Sequence, residues 1–150
     1  MAQPLPEDLS DADTEALPLP ERAPRPARRS AGEVEPVVLA REVVQLASDK
    51  GAADILLMDI RKMSIIADYF VICSGDNERQ IRAISRGIQD GVAETWGLDI
   101  INRTGAEAEQ AGWVLLDYGS VVVHIFSPQM RDYYRLERLW SEAATLLRMQ

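Results

Sequence analysis

The sequence predicts a single mixed α/β (α+β) domain, a sheet of about five strands flanked by helices, and three observations support this class. Short apolar runs rich in β-branched residues, at 54–60, 69–74 and 121–126, have the length of buried strands. Two longer segments repeat apolar residues at helical spacing. Residues 1–35 are rich in Pro, Ala, Glu and Asp and poor in large apolar side chains. We therefore expect an acidic, disordered tail before a domain at 36–150.

Helices are predicted on either side of the first two strands. Pro36 begins the first helix, because a proline fits the first helical position. Asn77 and Gln80 have the spacing of a capping box, so a long helix should follow the second strand. Gly87 and Gly91 lie four residues apart inside this helix. Their spacing indicates a close approach of the helix backbone to the sheet.

The next part of the chain is predicted to be mostly strand. A weak third strand is expected at 98–102, and a crossover from residue 69 to residue 102 is a candidate source of one parallel strand pair. The segments 113–117 and 121–126 form a hairpin, with its turn at 118–120, where a glycine accepts backbone angles that other residues resist.

The chain is expected to end in a helix. Ser127 is a good N-cap, Pro128 suits the first turn, and an apolar stripe at helical spacing runs to residue 147. Arg131 and Glu137 lie six residues apart, so they should not pair along one helix face. The resulting order, α-β-β-α-β-β-β-α, is similar to that of the nucleotidyltransferase fold.

Charge and cysteine content limit the classes of partner and compartment. The net charge is −8 over 150 residues, which does not suit a nucleic acid backbone as main ligand. It suits a basic protein partner, although acidity can also serve solubility alone. Cys73 is the only cysteine, which excludes an intramolecular disulfide and favours a reducing, cytoplasmic compartment. No apolar run approaches the roughly 18–20 residues of a membrane span.

The sequence gives little support to an enzyme. His124 is the only histidine, and its V-V-V-H-I-F context predicts a packed, hydrogen-bonded side chain. No G-x-S-x-G, G-x-G-x-x-G or G-x-x-x-x-G-K-[ST] motif occurs. A degenerate nucleotidyltransferase is the alternative, and it requires Asp59, Asp76 and Asp99 to converge on a metal ion. We expect no catalytic residue, metal or cofactor.

The strand at 113–117 carries the candidate binding site. Strand alternation places Trp113, Leu115 and Asp117 on one face, with Tyr118 adjacent in sequence. An aromatic anchor beside an acid suits an interface with a basic protein, provided that this face is open. A core position for Trp113 fits the same alternation.

Four segments in order resemble the ribosomal silencing factor family, also called the Iojap family. They are D-I-L-L-M-D-I at 54–60, S-I-I-A-D-Y-F-V-I-C-S-G at 64–75, W-V-L-L-D-Y-G-S-V-V-V-H-I-F at 113–126 and R-D-Y-Y-R-L-E-R-L-W at 131–140. Family members usually carry Glu-Gly shortly before the strand tryptophan. Here Glu107-Ala108 takes that place, or the loop has changed length around Gly105.

The resemblance implies a translation repressor with no enzymatic activity. Family members bind the large ribosomal subunit through its fourteenth protein and sterically block the small subunit when nutrients are short. The family's contact surface includes the strand tryptophan and the acid that closes the strand, which match Trp113 and Asp117 here. Tyr118 occupies the variable next position. Members can also self-associate, so a homodimer is a further alternative.

Overall fold

The computed structural model describes residues 34–104, 107–140 and 142–150, and these form one sheet with helices on both faces. The predicted tail lies outside the described residues except for its last two positions. One of these, Val34, is only 2% exposed and belongs to the core. The packed part of the chain therefore extends at least to residue 34, two residues before the predicted boundary.

The predicted fold class is confirmed, with one strand more than expected. The sheet has six strands in the order β3-β4-β5-β2-β1-β6. In chain order the elements are α1 Pro36–Asp49, β1 Ala53–Asp59, β2 Tyr69–Ser74, α2 Glu78–Trp96, β3 Asn102–Arg103, α3 Ala108–Ala111, β4 Trp113–Asp117, β5 Val121–Phe126, α4 Pro128–Tyr134, α5 Leu136–Leu139 and β6 Ala144–Met149. Among the described residues, no helix is long and apolar enough to cross a bilayer.

The sheet contains one parallel strand pair, and its partners differ from the prediction. β2 runs parallel to β5, with Tyr69 opposite Val121, whereas the other neighbours are antiparallel. Of the predicted strand at 98–102, only Asn102 lies in β3, whose two residues are Asn102–Arg103. Leu98 and Ile100 instead pack against the helix-side core from a loop, which leaves the place beside β2 to the hairpin strand.

The first face of the sheet is covered by α1 and α2. Their apolar stripes meet the inward side chains of the central strands in the larger core cluster. The predicted close approach of α2 is to α1 and not to the sheet. A Cβ at Gly91 would lie 2.4 Å from Leu46, and one at Gly87 would lie 2.7 Å from Lys50. The two glycines therefore allow the helices to pack closely against each other.

The predicted final helix is wrong beyond Tyr134. Arg135 has φ +47°, in the left-handed region, and this separates α4 from the short α5. The chain then forms β6, which pairs antiparallel with β1 along the sheet edge. Pairing with β1 satisfies backbone groups of β1 that would otherwise line an open edge, and this outweighs the helical spacing of the leucines.

The second face of the sheet is only partly covered. A smaller core cluster forms there, with α4, α5 and the residues after them packed over part of it. Its members include Leu56, Met58, Ile60, Ala67, Phe70, Ile72 and Phe126, with Trp113, Val122, Met130, Leu136 and Trp140 at its margin.

Candidate partner-binding site

Strand β4 places alternate side chains on the two faces of the sheet, as its sequence predicts. Val114 and Leu116 are 3% and 0% exposed and belong to the helix-side core. Trp113, Leu115 and Asp117 are half-buried on the second face. That face is left partly open by the C-terminal helices, so these three side chains border solvent.

Trp113 is neither a core residue nor a free surface residue. Its ring stacks on Phe126 with centroids 5.0 Å apart and contacts the ring of Tyr134 at 4.6 Å. Its indole Nε1 donates a hydrogen bond to Nδ1 of His124 at 3.2 Å. The indole is therefore held in one orientation at the margin of the second-face cluster, which reduces the entropy lost when a partner binds it.

His124 is packed and hydrogen-bonded, as predicted. It is 5% exposed, and its ring meets that of Phe70 edge-on at 4.8 Å. Burial lowers the pKa of His124 to about 4, so the imidazole is neutral at neutral pH. Because Nδ1 accepts the indole hydrogen, Nε2 carries the proton, and this buried atom has no hydrogen-bond partner.

Asp117 closes β4 and shapes the turn that follows. Its Oδ1 accepts a hydrogen bond of 2.7 Å from the backbone N–H of Gly119, whose φ is +90°. Nearby, the backbone N–H of Leu115 donates to Thr104 Oγ1 at 3.2 Å. The carboxylate is thus fixed on the second face, on the same strand as Trp113 and Leu115.

Tyr118 does not belong to this surface, contrary to the prediction. It is 2% exposed and packs in the helix-side core, and burial raises the pKa of its hydroxyl. The physical reason is the alternation of β4 itself. Asp117 faces the second side of the sheet, so the next residue faces the first side. The open site therefore consists of Trp113, Leu115 and Asp117.

The C-terminal helices carry an ion pair between two residues that were not expected to pair along one helix face. Arg131 Nε lies 3.2 Å from Glu137 Oε2, and Arg131 Nη1 donates to Ser74 Oγ at 2.8 Å. The break at Arg135 turns α5 back toward α4, so a separation of six residues no longer prevents pairing. This network fastens the C-terminal segment to the end of β2.

The aromatic residues of this segment differ in their exposure. Tyr133 and Tyr134 are 75% and 44% exposed. Trp140 does pack inward, edge-on to Phe70 at 5.2 Å.

The carboxylates required by the nucleotidyltransferase alternative do not converge. In the β1–β2 pair, Asp59 lies opposite Tyr69, whereas Asp76 follows Ser74 at the other end of the strand. Among the residues that the structure describes, no group of three His, Cys, Asp or Glu side chains could hold a metal ion. The nucleotidyltransferase alternative therefore has no supporting geometry in the described residues.

Cys73 is fully buried, as expected for a residue of a buried strand, and burial raises the pKa of its thiol to about 12.

Comparison with known proteins agrees with the fold and with the sequence motifs. The model of the family "Ribosomal silencing factor during starvation" matches residues 33–150. The chain belongs to the ribosomal silencing factor family. The match includes all of the elements above, among them the strand β4 that carries the candidate site.

Individual family members are similar over most of the domain. The ribosomal silencing factor of Bacillus subtilis is 45% identical over 95 residues, which cover 63% of this chain and 78% of that protein. That of Halalkalibacterium halodurans is 42% identical over 110 residues, 71% of this chain and 92% of that protein. A crystal structure from Chromobacterium violaceum superposes with a TM-score of 0.68 at 32% identity, covering 72% of this chain and 88% of that one.

Proposed function

We propose that this ribosomal silencing factor binds the large ribosomal subunit through its fourteenth protein and sterically blocks joining of the small subunit. It would thereby repress translation under nutrient limitation, in the cytoplasm. The observation that carries the proposal is the fixed Trp113 indole, which lies on a partly open sheet face with Leu115 and Asp117. Membership of the family supplies the ribosome as the partner.

The chemistry of this surface fits a basic protein. An indole and a leucine offer apolar area, which supplies most of the affinity at interfaces. Asp117 offers a carboxylate to a lysine or arginine, and the net charge of −8 favours approach to a positively charged surface. Strand β4 carries no basic side chain, so it offers no basic patch for binding a specific nucleic acid sequence.

The proposed mechanism requires no catalytic group. A bound protein of this size blocks subunit joining if its volume overlaps the position of the small subunit. The rate of repression then depends on binding and release alone. Occupancy of the large subunit should therefore account quantitatively for the loss of joined ribosomes.

Sedimentation through a sucrose gradient tests this proposal. The protein should co-sediment with purified large subunits and should reduce the joined fraction when small subunits are added. Val38→Ser is a suitable control, because Val38 is 40% exposed on α1, which covers the opposite face of the sheet. Absence of co-sedimentation, or binding without any loss of joined ribosomes, would contradict the proposal.

Self-association stays a prediction. Light scattering of the protein alone and with large subunits measures it directly. If dimers form and compete with ribosome binding, the second face of the sheet would have to serve both contacts.

A further inference from the structure

The segment between β1 and β2 exposes two isoleucines. Ile65 and Ile66 are 104% and 79% exposed, and Met63, two residues earlier, is 38% exposed. We call residues 61–68 the isoleucine loop. Two adjacent branched apolar side chains that make so little contact with their own protein are a feature of binding surfaces. Neither the hydrophobic core nor the geometry of the loop requires isoleucine at these positions.

The backbone of the isoleucine loop is held by hydrogen bonds at both ends and in the middle. The N–H of Ile60 donates to the carbonyl of Asp68, and the N–H of Ser64 donates to the carbonyl of Ile60, both at 3.0 Å. Ser64 Oγ accepts from the N–H of Ile66 at 3.1 Å. Ala67 is 5% exposed within the second-face cluster. The two isoleucines are thus presented by an ordered loop, which lowers the entropic cost of docking.

The isoleucine loop is continuous with the candidate site on β4. The backbone N–H groups of Asp68 and Tyr69 both donate to the carbonyl of Ser120, at 2.8 and 3.0 Å. Ser120 belongs to the turn that Asp117 shapes. Ala67 and Trp113 also pack in the same cluster on the second face. The loop therefore extends the open part of that face beyond the end of β4.

The charges around the two isoleucines favour the same partner as Asp117. Asp68 and Asp117 are both half-buried at this end of the sheet. The charge of Arg61 is offset by Asp59, whose Oδ2 lies 2.7 Å from Arg61 Nη2. The exposed Lys62 offsets one of the other two carboxylates, so these five charged side chains leave a net charge of −1. An acidic protein is repelled by an anionic lipid surface, which argues against a membrane as the occupant. A basic protein with an apolar patch fits both the isoleucines and the carboxylates.

We propose that Ile65 and Ile66 form the apolar half of the partner-binding surface and dock on the ribosomal protein that β4 contacts. This inference rests on the proposed function, and it adds a second contact region outside β4. The combined surface would have an aromatic anchor at one end, carboxylates in the middle and the isoleucine pair at the other end. Most of the apolar contact area that the partner covers near the turn would come from the loop.

Binding of the full chain to purified large subunits tests the inference through the double variant Ile65→Ser/Ile66→Ser. The two side chains are exposed, so the variant should keep the thermal midpoint of the wild type. Its dissociation constant should rise at least about fivefold, which corresponds to about 1 kcal/mol for the loss of two apolar side chains that carry binding energy. Val38→Ser, an exposed apolar residue on the opposite face, should bind like the wild type.

Three outcomes would overturn the inference. If the double variant binds within about twofold of the wild type while Trp113→Ala binds weakly, the loop lies outside the interface and the proposed function stands. If the double variant dissociates a dimer but binds subunits normally, the occupant is a second copy of the chain. If the wild type itself does not bind large subunits, the proposed function fails together with the inference.

Discussion

The indole Nε1 of Trp113 donates a hydrogen bond to Nδ1 of His124 at 3.2 Å, and this contact joins the candidate site to the core. His124 lies on β5 directly opposite Leu115 on β4, so it adjoins two members of the candidate site, Trp113 and Leu115. The imidazole acts as a fixed acceptor because burial keeps it neutral. The orientation of the proposed binding tryptophan therefore depends on a residue that is itself 5% exposed.

Replacing His124 by leucine should separate binding from stability. The variant loses one hydrogen bond, worth about 1 kcal/mol, but it also removes a buried N–H without a partner, which costs about 1–3 kcal/mol. We expect a free energy of unfolding equal to or above that of the wild type in urea titrations. Ribosome binding should weaken because the indole is no longer held. A variant that binds normally would show that His124 does not position Trp113.

Acidification should destabilise the protein through His124. The folded-state pKa is about 4, against 6.5 for the free side chain, so the unfolded chain binds more protons between these values. Stability is therefore greatest above about pH 6.5 and decreases as the pH falls toward 4. The integrated loss is on the order of 3 kcal/mol. Unfolding midpoints from pH 7 to pH 4.5 measure it, and His124→Leu should show a shallower decline that reflects the carboxylates alone.

Reversing the charge of Asp117 should act mainly on the association rate. Asp117→Lys places a cation where a basic partner approaches, so the rate should decrease, and most strongly at low salt. The substitution also removes the hydrogen bond to Gly119. Asp117→Asn is the matched control, since its amide oxygen can keep that bond while the charge is lost. Stopped-flow measurements at several salt concentrations check this, and a decrease that does not depend on salt would argue against electrostatic steering.

The ion pair between the C-terminal helices should contribute to stability. Arg131 is 12% exposed in its side chain, so Glu137→Ala would leave a nearly buried guanidinium with Ser74 as its remaining side-chain partner among the described residues. Allowing for the partial exposure of Glu137, we expect a loss of about 1–2 kcal/mol in urea titrations. Asp132→Ala breaks the exposed pair with Arg135 and should cost less than about 0.5 kcal/mol. Equal losses in the two variants would contradict the structural role of Arg131.

Local sequence patterns were sufficient for elements whose partners lie nearby. The cap at Asn77 and the Ser127 cap of α4 both occur as predicted, and the left-handed Gly97 ends α2. The alternation of β4 also gave the correct faces for Trp113 and Leu116. These features depend on contacts within a few residues, which the sequence displays directly.

The predictions that were wrong failed for non-local reasons, except for the prediction about Tyr118. β6 forms because β1 offers it an open edge, and nothing in residues 144–149 identifies that partner. The Arg131–Glu137 pair requires the chain reversal at Arg135, a non-glycine residue in the left-handed region. Tyr118 is different, because continuing the alternation by one residue would have placed it in the core. The sequence analysis assigned no role to Ile65, whose apolar side chain lies shortly before the apolar strand β2.

The binding of Trp113→Ala to purified large subunits tests the central claim most directly. Because the indole is half-buried, the variant is first checked for an unchanged circular dichroism spectrum and cooperative unfolding, and Trp113→Phe keeps much of the packing on Phe126. We expect the alanine variant to bind at least about tenfold more weakly, with loss of subunit-joining inhibition in proportion. A folded Trp113→Ala protein that binds and blocks joining like the wild type would show that this face of the sheet is not the ribosome-binding surface.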